Sequence, residues 1–355
     1  MILRRVAFVL FAVVALLFTA WASAALAIDG PFAGGAAKLL AASWGIALAA
    51  ILVMVRPGRR ALLLVFLLDL GLTAWWLGIA PSNDRAWIPE VARLASVDLD
   101  GDVARFRNVR DFEYRSETDF TAKWEDRTYD LSKVRAVDLF ISTWGAPLIA
   151  HTIMSWEFED GRHLAVSIET RKQVGEEYSA LLGFFRQFEL YYVVADESDV
   201  IALRSNHRGE TVALYRLSAS PENARRILAD YIESINDLVE MPVWYNALTQ
   251  NCTTSIWQHA HNLNRDFSWD WRILVNGSLD ALLYLRGSID TSMPIEELRR
   301  RSDITAVARE AGDGENFSTK IRRGLPRMPA SGGADPGRAT GSDEAGRDVT
   351  TAKPE

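Results

Sequence analysis

The sequence contains a single cysteine, Cys252, among 355 residues. One cysteine excludes an intrachain disulfide and every metal site built from several thiolates. Only five histidines are present and they are scattered, so we expect no metal and no other cofactor. Basic charge is also scarce after the N-terminal region, because residues 81–355 carry 33 Lys and Arg against 44 Asp and Glu. Nucleic-acid binding requires a basic face, so this acidic region argues against nucleic acid as a partner.

Long apolar runs, by contrast, dominate residues 1–80. The runs 6–27, 39–55 and 61–80 predict three transmembrane helices, since about 20 apolar residues cross a bilayer, and only the third contains an acid, Asp69. Basic residues cluster before the first run and at 56–60. The positive-inside rule therefore places the N-terminus in the cytoplasm and everything after residue 80 outside it. A cleaved signal peptide ending near Ala27 is the alternative for the first run.

Residues 81–328 predict a second domain of class α+β, with a mostly antiparallel sheet. Alternating apolar positions separated by turn residues predict a hairpin at 97–108 and further strands at 133–144, 151–158, 164–170, 189–195, 200–204 and 211–217. Apolar residues at helical spacing predict helices at 220–239 and 252–264. The composition of residues 329–355 predicts a disordered tail.

Cys252 is the leading candidate for a nucleophile. It lies at the predicted N-terminus of a helix, where unpaired N–H groups and the helix dipole stabilise a thiolate. Its neighbours Asn251 and Thr253 are polar. The same N–H groups would stabilise an oxyanion formed when a thiolate attacks a carbonyl. The alternative is an inert buried thiol.

A thiolate nucleophile needs a histidine within hydrogen-bond reach. His259 and His261 follow the cysteine on the same helix, ~10 and ~13 Å along its axis, which is too far. His163 and His207 fall in predicted turns. His151 begins a strand, where catalytic side chains are displayed above a rigid sheet. We therefore predict that His151 is the base, with a structural role as the alternative.

A third catalytic group, one that orients the His151 imidazole, is expected on the strand that follows the one begun by His151. A three-residue hairpin loop that pairs 159 with 163 puts Ser167, Glu169 and Arg171 on the His151 face. The carboxylate of Glu169 is the best orienting group, because it can fix the imidazole tautomer. A surface ion pair of Glu169 with Arg171 or Lys172 is the alternative.

Several of these segments together resemble the Lnb-type periplasmic domain: NVRDF at 108–112, AHT at 150–152, SIETR at 167–171, WYN at 244–246 and NCTT at 251–254. The resemblance runs from about residue 87 to about residue 323. The order of histidine before cysteine also resembles circularly permuted papain-like enzymes of the NlpC superfamily. The Lnb-type family includes an alternative bacterial lipoprotein N-acyltransferase. The resemblance implies a permuted papain-like fold and a Cys–His thiol acyltransferase, with Cys252 as nucleophile and His151 as base.

These observations lead to one functional hypothesis and two alternatives. The hypothesis is a cysteine acyltransferase, anchored in the bacterial inner membrane with its catalytic domain in the periplasm. It would move a fatty acyl group from a phospholipid to a lipoprotein N-terminus. The alternatives are a thiol amidase or peptidase acting on cell-envelope peptides, and a non-enzymatic envelope scaffold.

Five residues are assigned to substrate binding in this hypothesis. Arg171 and Arg204 would receive a phosphate headgroup, because guanidinium groups suit phosphate; ordinary surface arginines are the alternative. Ser167 shares the predicted face of His151, and Asn251 and Thr253 flank Cys252.

Overall fold

The structure is a computed structural model that describes residues 2–145, 148–314 and 316–328. The predicted tail at 329–355 lies outside the described residues. Mixed helix and antiparallel sheet confirm the predicted α+β class.

Three N-terminal helices, α1 (Ile2–Ile28), α2 (Gly34–Met54) and α3 (Gly58–Leu77), are long and apolar enough to cross a membrane. Most of their apolar side chains face outward, as expected of helices surrounded by lipid. Asp69 of α3 is fully buried between its neighbours. Its carboxylate accepts hydrogen bonds from Thr19 Oγ1 at 2.7 Å and from Trp44 Nε1 at 3.1 Å. Asp69 therefore joins all three helices, which satisfies a polar group that lipid cannot solvate.

The second domain is built on one large sheet. The strands of the domain are β1 (Ser96–Asp100), β2 (Val103–Arg110), β3 (Glu113–Tyr114), β4 (Phe120–Thr121), β5 (Trp124–Asp130), β6 (Val134–Thr143), β7 (His151–Phe158), β8 (His163–Arg171), β9 (Glu189–Ala195) and β10 (Thr211–Arg216). The strands of the large sheet lie in the spatial order β1, β2, β9, β8, β7, β6, β10, with β5 also paired to β2. All these pairs are antiparallel except β2 with β9.

Helices cover both faces of this sheet. The helices of the domain are α4 (Glu197–Ala202), α5 (Pro221–Glu240), α6 (Cys252–Leu263), α7 (Leu279–Leu285), α8 (Ile295–Ser302), α9 (Thr305–Ala311) and α10 (Phe317–Ile321). On one face α5, α6 and α7 pack onto a large apolar core, and on the other α4, α9 and α10 enclose a smaller one. The predicted helices at 220–239 and 252–264 are confirmed as α5 and α6.

The predicted strand at 200–204 is wrong. That segment is the end of α4 followed by a π-helical turn, Leu203–His207. The apolar run Val200–Leu203 is fully buried, and a short buried apolar run has no periodicity that separates strand from helix.

The register of the β7–β8 hairpin also differs from the prediction. Phe158 pairs with Arg162 across a loop at 159–161, and Gly161 adopts φ 82° there. The pairing is therefore shifted by two residues: Ile153 lies opposite Ser167, so that His151 comes opposite Glu169 rather than Arg171. The face of the sheet is unchanged, because a shift of two preserves the alternation of side chains.

Candidate active site

Cys252 is the first residue of α6, and Asn251 caps that helix. The Asn251 Oδ1 atom accepts hydrogen bonds from the N–H groups of Thr253 at 3.0 Å and Thr254 at 2.9 Å. The Thr254 hydroxyl in turn accepts from the Asn251 N–H at 2.8 Å, which completes a capping box. The cap fixes the start of the helix, and with it the position of a thiol that is only 7% exposed.

The cap also changes one expectation. The sequence predicts that N–H groups at the start of the helix stabilise an oxyanion, but those of Thr253 and Thr254 donate to Asn251 Oδ1. Asn251 and Thr253 therefore lie beside the thiol, as their sequence positions require, with their polar groups engaged inside the protein.

His151 is the first residue of β7, so the sheet fixes its position. Its Nε2 atom lies 2.7 Å from Ser167 Oγ and 3.1 Å from Glu169 Oε1. The Ser167 hydroxyl donates to Glu169 Oε1 at 2.7 Å. Because Nε2 is occupied in this way, the other ring nitrogen is the one available to Cys252, whose charge raises the pKa of His151.

Arg204 forms an ion pair with Glu169, the carboxylate that contacts His151. Its guanidinium donates to Glu169 Oε1 at 2.8 Å and to Glu210 Oε2 at 3.1 Å, and it is only 6% exposed. Glu210 also accepts from the Ser142 hydroxyl. Arg204 thus belongs to a buried network that orients Glu169, and its guanidinium binds protein groups rather than facing solvent.

The charges in this cluster make the thiol acidic. Burial raises the pKa of the Cys252 thiol, but the charge of His151 and the neighbouring Thr152 outweigh it, and the pKa falls to about 6. Burial and Arg204 lower the pKa of His151, but Glu169 and Cys252 raise it to about 9. Both shifts favour a thiolate–imidazolium pair of Cys252 and His151 near neutral pH, which is the reactive state of a thiol nucleophile.

Glu169 stays ionised in spite of its surroundings. Burial raises the pKa of its carboxyl group, yet the charges of His151 and Arg204 hold that pKa well below its usual range. A carboxylate in this position stabilises the imidazolium and fixes the orientation of the ring.

Asn276 is a residue of the site that sequence reasoning missed. Its side-chain amide accepts from the Ala150 N–H at 2.7 Å and donates to the Ala150 carbonyl at 2.7 Å. The same Nδ2 atom lies 2.7 Å from Thr253 Oγ1 and 3.9 Å from Cys252 Sγ. Asn276 therefore joins the residue before the histidine to the start of the cysteine helix. Its sequence context, VNGS, carried no signal beyond that of a turn.

Thr152 and Tyr245 complete the surroundings of the thiol. Thr152 Oγ1 lies 3.4 Å from Thr253 Oγ1, and Thr152 lowers the pKa of Cys252. Burial raises the pKa of Tyr245, and the neighbouring Cys252 raises it further. Thr152 and Tyr245 belong to the AHT and WYN segments singled out in the sequence.

Arg171 lies away from this cluster. Its guanidinium donates to the carbonyls of Val91 at 3.0 Å and Ala92 at 3.1 Å and to Asn83 Oδ1 at 3.0 Å, and it is 2% exposed. It also stacks over Trp87 at 4.2 Å. These contacts use the guanidinium to hold the segment that precedes the sheet.

One cluster among the described residues carries donor types suited to a metal: Asp138, Glu157 and His163. Asp138 already pairs with Arg216 at 2.5 Å and with Arg322 at 2.7 Å. Glu157 also pairs with Arg216. Two guanidinium groups thus occupy the carboxylates, which does not fit a cation site.

Residues 120–277 match the family model of the Lnb N-terminal periplasmic domain. This segment is therefore similar to an Lnb-type periplasmic domain. The match is shorter than the resemblance over 87–323, but it contains Cys252, His151, Ser167, Glu169 and Asn276. No curated protein and no solved structure matches the chain.

The Lnb-type domain and the three apolar helices together indicate a membrane-anchored envelope protein. The permuted papain-like topology implied by the resemblance stays a prediction.

Proposed function

We propose that this protein is a periplasmic cysteine acyltransferase that moves a fatty acyl group from a phospholipid to the N-terminus of a lipoprotein. The observation that carries the proposal is the Cys252–His151 pair, in which a buried thiol at a helix N-terminus has a pKa lowered to about 6. An Lnb-type domain on a membrane anchor supports the choice of lipid as the acyl source.

In the first step, the Cys252 thiolate attacks the ester carbonyl carbon of the phospholipid. The carbonyl oxygen becomes an oxyanion, and the carbonyl re-forms as the C–O bond to the glycerol oxygen breaks. His151 gives its proton to that oxygen, so that a lysophospholipid leaves. Cys252 is then an acyl-thioester and His151 is neutral.

In the second step, the α-amine of the lipoprotein's N-terminal cysteine attacks the thioester carbonyl. Neutral His151 accepts the proton that the amine loses. The C–S bond breaks, an amide forms and the Cys252 thiolate is released. The thiolate–imidazolium pair is thereby restored.

Glu169, Ser167 and Arg204 position His151 in this mechanism. Glu169 and Ser167 contact Nε2, so the ring keeps its other nitrogen directed at the thiol. Arg204 contacts Glu169 and acts through it, and neither Arg204 nor Arg171 is retained as a headgroup ligand.

An apolar cavity beside the thiol supports an acyl substrate. It has a volume of about 340 Å³, and its lining includes Thr253, whose hydroxyl lies 3.7 Å from Cys252 Sγ. A peptide substrate is disfavoured in this cavity, because its backbone N–H and C=O groups would be buried against an apolar lining without hydrogen-bond partners. The cavity extends between the sheet, α5 and α6, and its lining is mostly apolar, including Leu139, Met154, Ile227, Ile256, Trp257 and Leu282.

The test is intact-protein mass spectrometry of the purified full chain after incubation with phospholipid vesicles. We expect a fatty-acyl mass on the wild type and on the control His163→Gln, and no adduct on Cys252→Ala or His151→Ala. No adduct on the wild type, together with slow alkylation of Cys252, would contradict the proposal and favour a scaffold. A fast-alkylating thiol without an acyl adduct would instead favour the peptidase.

A further inference from the structure

One loop of the catalytic domain packs into the membrane anchor. Phe185, which precedes β9, is 5% exposed and belongs to an apolar cluster whose other buried members all come from the anchor helices: Ala22, Ala25, Leu26, Leu72 and Trp76. This contact fixes the depth at which the loop meets the anchor.

The contact lies at the ends of the apolar helices. Leu26 precedes the end of α1 at Ile28 by two residues, and Trp76 precedes the end of α3 at Leu77 by one. Both belong to the cluster that contains Phe185. At 1.5 Å per residue, these positions are within ~3 Å of the helix ends, so the loop meets the anchor where the candidate membrane spans end.

Polar groups follow immediately after Phe185 in the chain. Asp29, just beyond α1, accepts from Trp76 Nε1 at 2.6 Å, Gln187 Nε2 at 2.7 Å and the Arg186 N–H at 3.2 Å. The Arg186 guanidinium lies 4.3 Å from the Trp76 ring centroid. Tryptophan and arginine with this arrangement are typical of the boundary between hydrocarbon and water.

Large apolar side chains next to Phe185 lack protein cover. Leu181 is 66% exposed, Phe184 38% and Tyr178 51%. Leu248 is 50% exposed and adjoins them, because the neighbouring Ala247 N–H donates to the Gly183 carbonyl at 2.8 Å. We call these four residues, Tyr178, Leu181, Phe184 and Leu248, the apolar rim.

The apolar rim borders the candidate active site. Gly183 lies between Leu181 and Phe184, and its carbonyl accepts from the Ala247 N–H at 2.8 Å. The Ala247 carbonyl accepts from Asn251 Nδ2 at 2.7 Å, and Asn251 caps the helix that begins at Cys252. The sheet places the site at the same end, since β9 begins at Glu189 directly after the loop, and Glu189 pairs with the end of β8.

We propose that the apolar rim inserts into the phospholipid bilayer at the surface reached by Ile28 and Leu77, so that the Cys252 site opens directly onto lipid. The occupant is a bilayer because the rim is continuous with Phe185, which already packs among anchor side chains. This inference goes beyond the proposed function and does not require acyl transfer to be correct.

The single cysteine allows a direct test by spin labelling. In the full chain with Cys252→Ser, a nitroxide is attached at Leu181→Cys or at Leu248→Cys, and the protein is reconstituted into phosphatidylcholine–phosphatidylglycerol vesicles. Asp160→Cys is the matched control, because it lies in the β7–β8 turn at the other end of the sheet. Power saturation then compares collisions with oxygen, which concentrates in lipid, and with a water-soluble nickel chelate.

We expect oxygen collisions to exceed nickel collisions at positions 181 and 248, and the ratio to invert at position 160. Nickel-dominated collisions at both rim positions would overturn the proposal. Shielding of both rim labels from both reagents would also overturn it, because it would show the rim covered by a second copy of the chain.

Discussion

The two ends of the β7–β8 hairpin each hold a histidine with buried ring nitrogens, and their pKa values move in opposite directions. At the open end, Glu169 and Cys252 raise the pKa of His151 to about 9, against burial and Arg204. At the turn end, burial lowers the pKa of His163, with Arg322 acting in the same direction and Glu197 against it. One hairpin thus carries a charged histidine and a neutral one.

The difference lies in direct contacts rather than in burial. His151 Nε2 contacts both Ser167 and Glu169. Neither ring nitrogen of His163 has a hydrogen-bond partner among the described residues, because Arg216 and Arg322 occupy the nearby carboxylates. Burial alone opposes protonation of a histidine. A buried histidine therefore stays charged only when a carboxylate contacts it directly and its negative charge is not fully balanced by other cations.

The largest expected effect comes from removing the charged histidine. His151→Ala leaves the buried thiol of Cys252 without its cation, so its pKa returns to or above the ordinary thiol value, and the thiolate fraction at neutral pH falls by ~100-fold. The rate of alkylation by iodoacetamide measures this loss. His163→Ala, at the other end of the hairpin, should leave that rate within about a factor of two; an equal loss in both variants would break the comparison.

The second expected effect tests the carboxylate. Glu169→Gln keeps the shape of the side chain but removes the charge that holds the imidazolium, and we expect Cys252 alkylation at neutral pH to slow by about 10-fold. Glu157→Gln is the control at the turn end. A pH profile of the alkylation rate should move upward only for Glu169→Gln, and an unmoved profile would contradict the role given to Glu169.

The third expected effect concerns the tie between the two catalytic segments. Asn276→Ala removes the amide that joins Ala150 to Thr253, and we expect a loss of about 1–3 kcal/mol in unfolding free energy. We also expect about a 10-fold slower acylation of Cys252, because the two catalytic side chains lose their common support. Urea unfolding and mass spectrometry measure the two effects. An unchanged stability would contradict the structural tie.

The smallest expected effect is on stability at acidic pH. Since the pKa of His163 is lowered in the folded state, the unfolded chain binds more protons as the pH falls below about 6.5. Folding stability therefore decreases in that range, and His163→Leu should lessen the decrease. Urea midpoints at about pH 7 and pH 5 for the two proteins provide the measurement. Parallel changes would show that His163 does not contribute.

Local pattern was sufficient for much of the fold and for the two central residues. The three apolar helices, the helix that begins at Cys252 and the shared face of His151, Ser167 and Glu169 follow from hydrophobic period and the alternation of strands. These features depend on residues that are close together in the sequence.

The features that could not be predicted depend on long-range packing. Arg204 reaches Glu169 because residues 200–207 are helical rather than extended. Asn276 forms a hydrogen bond with Ala150, which is 126 residues earlier in the chain, and no pattern in the sequence near Asn276 predicts that contact. The buried state of Arg171 likewise depends on the segment before the sheet folding back onto it.

The central claim is that His151 holds Cys252 as a thiolate at neutral pH, and the pH dependence of Cys252 alkylation tests it most directly. The rate constant for iodoacetamide is measured from about pH 4 to about pH 10 on the wild-type chain, with His151→Ala alongside. We expect the rate constant to rise with pH, with an inflection near pH 6 in the wild type, and we expect this inflection to be absent in His151→Ala. A single wild-type inflection at the ordinary thiol value of about 8.5 would contradict the account.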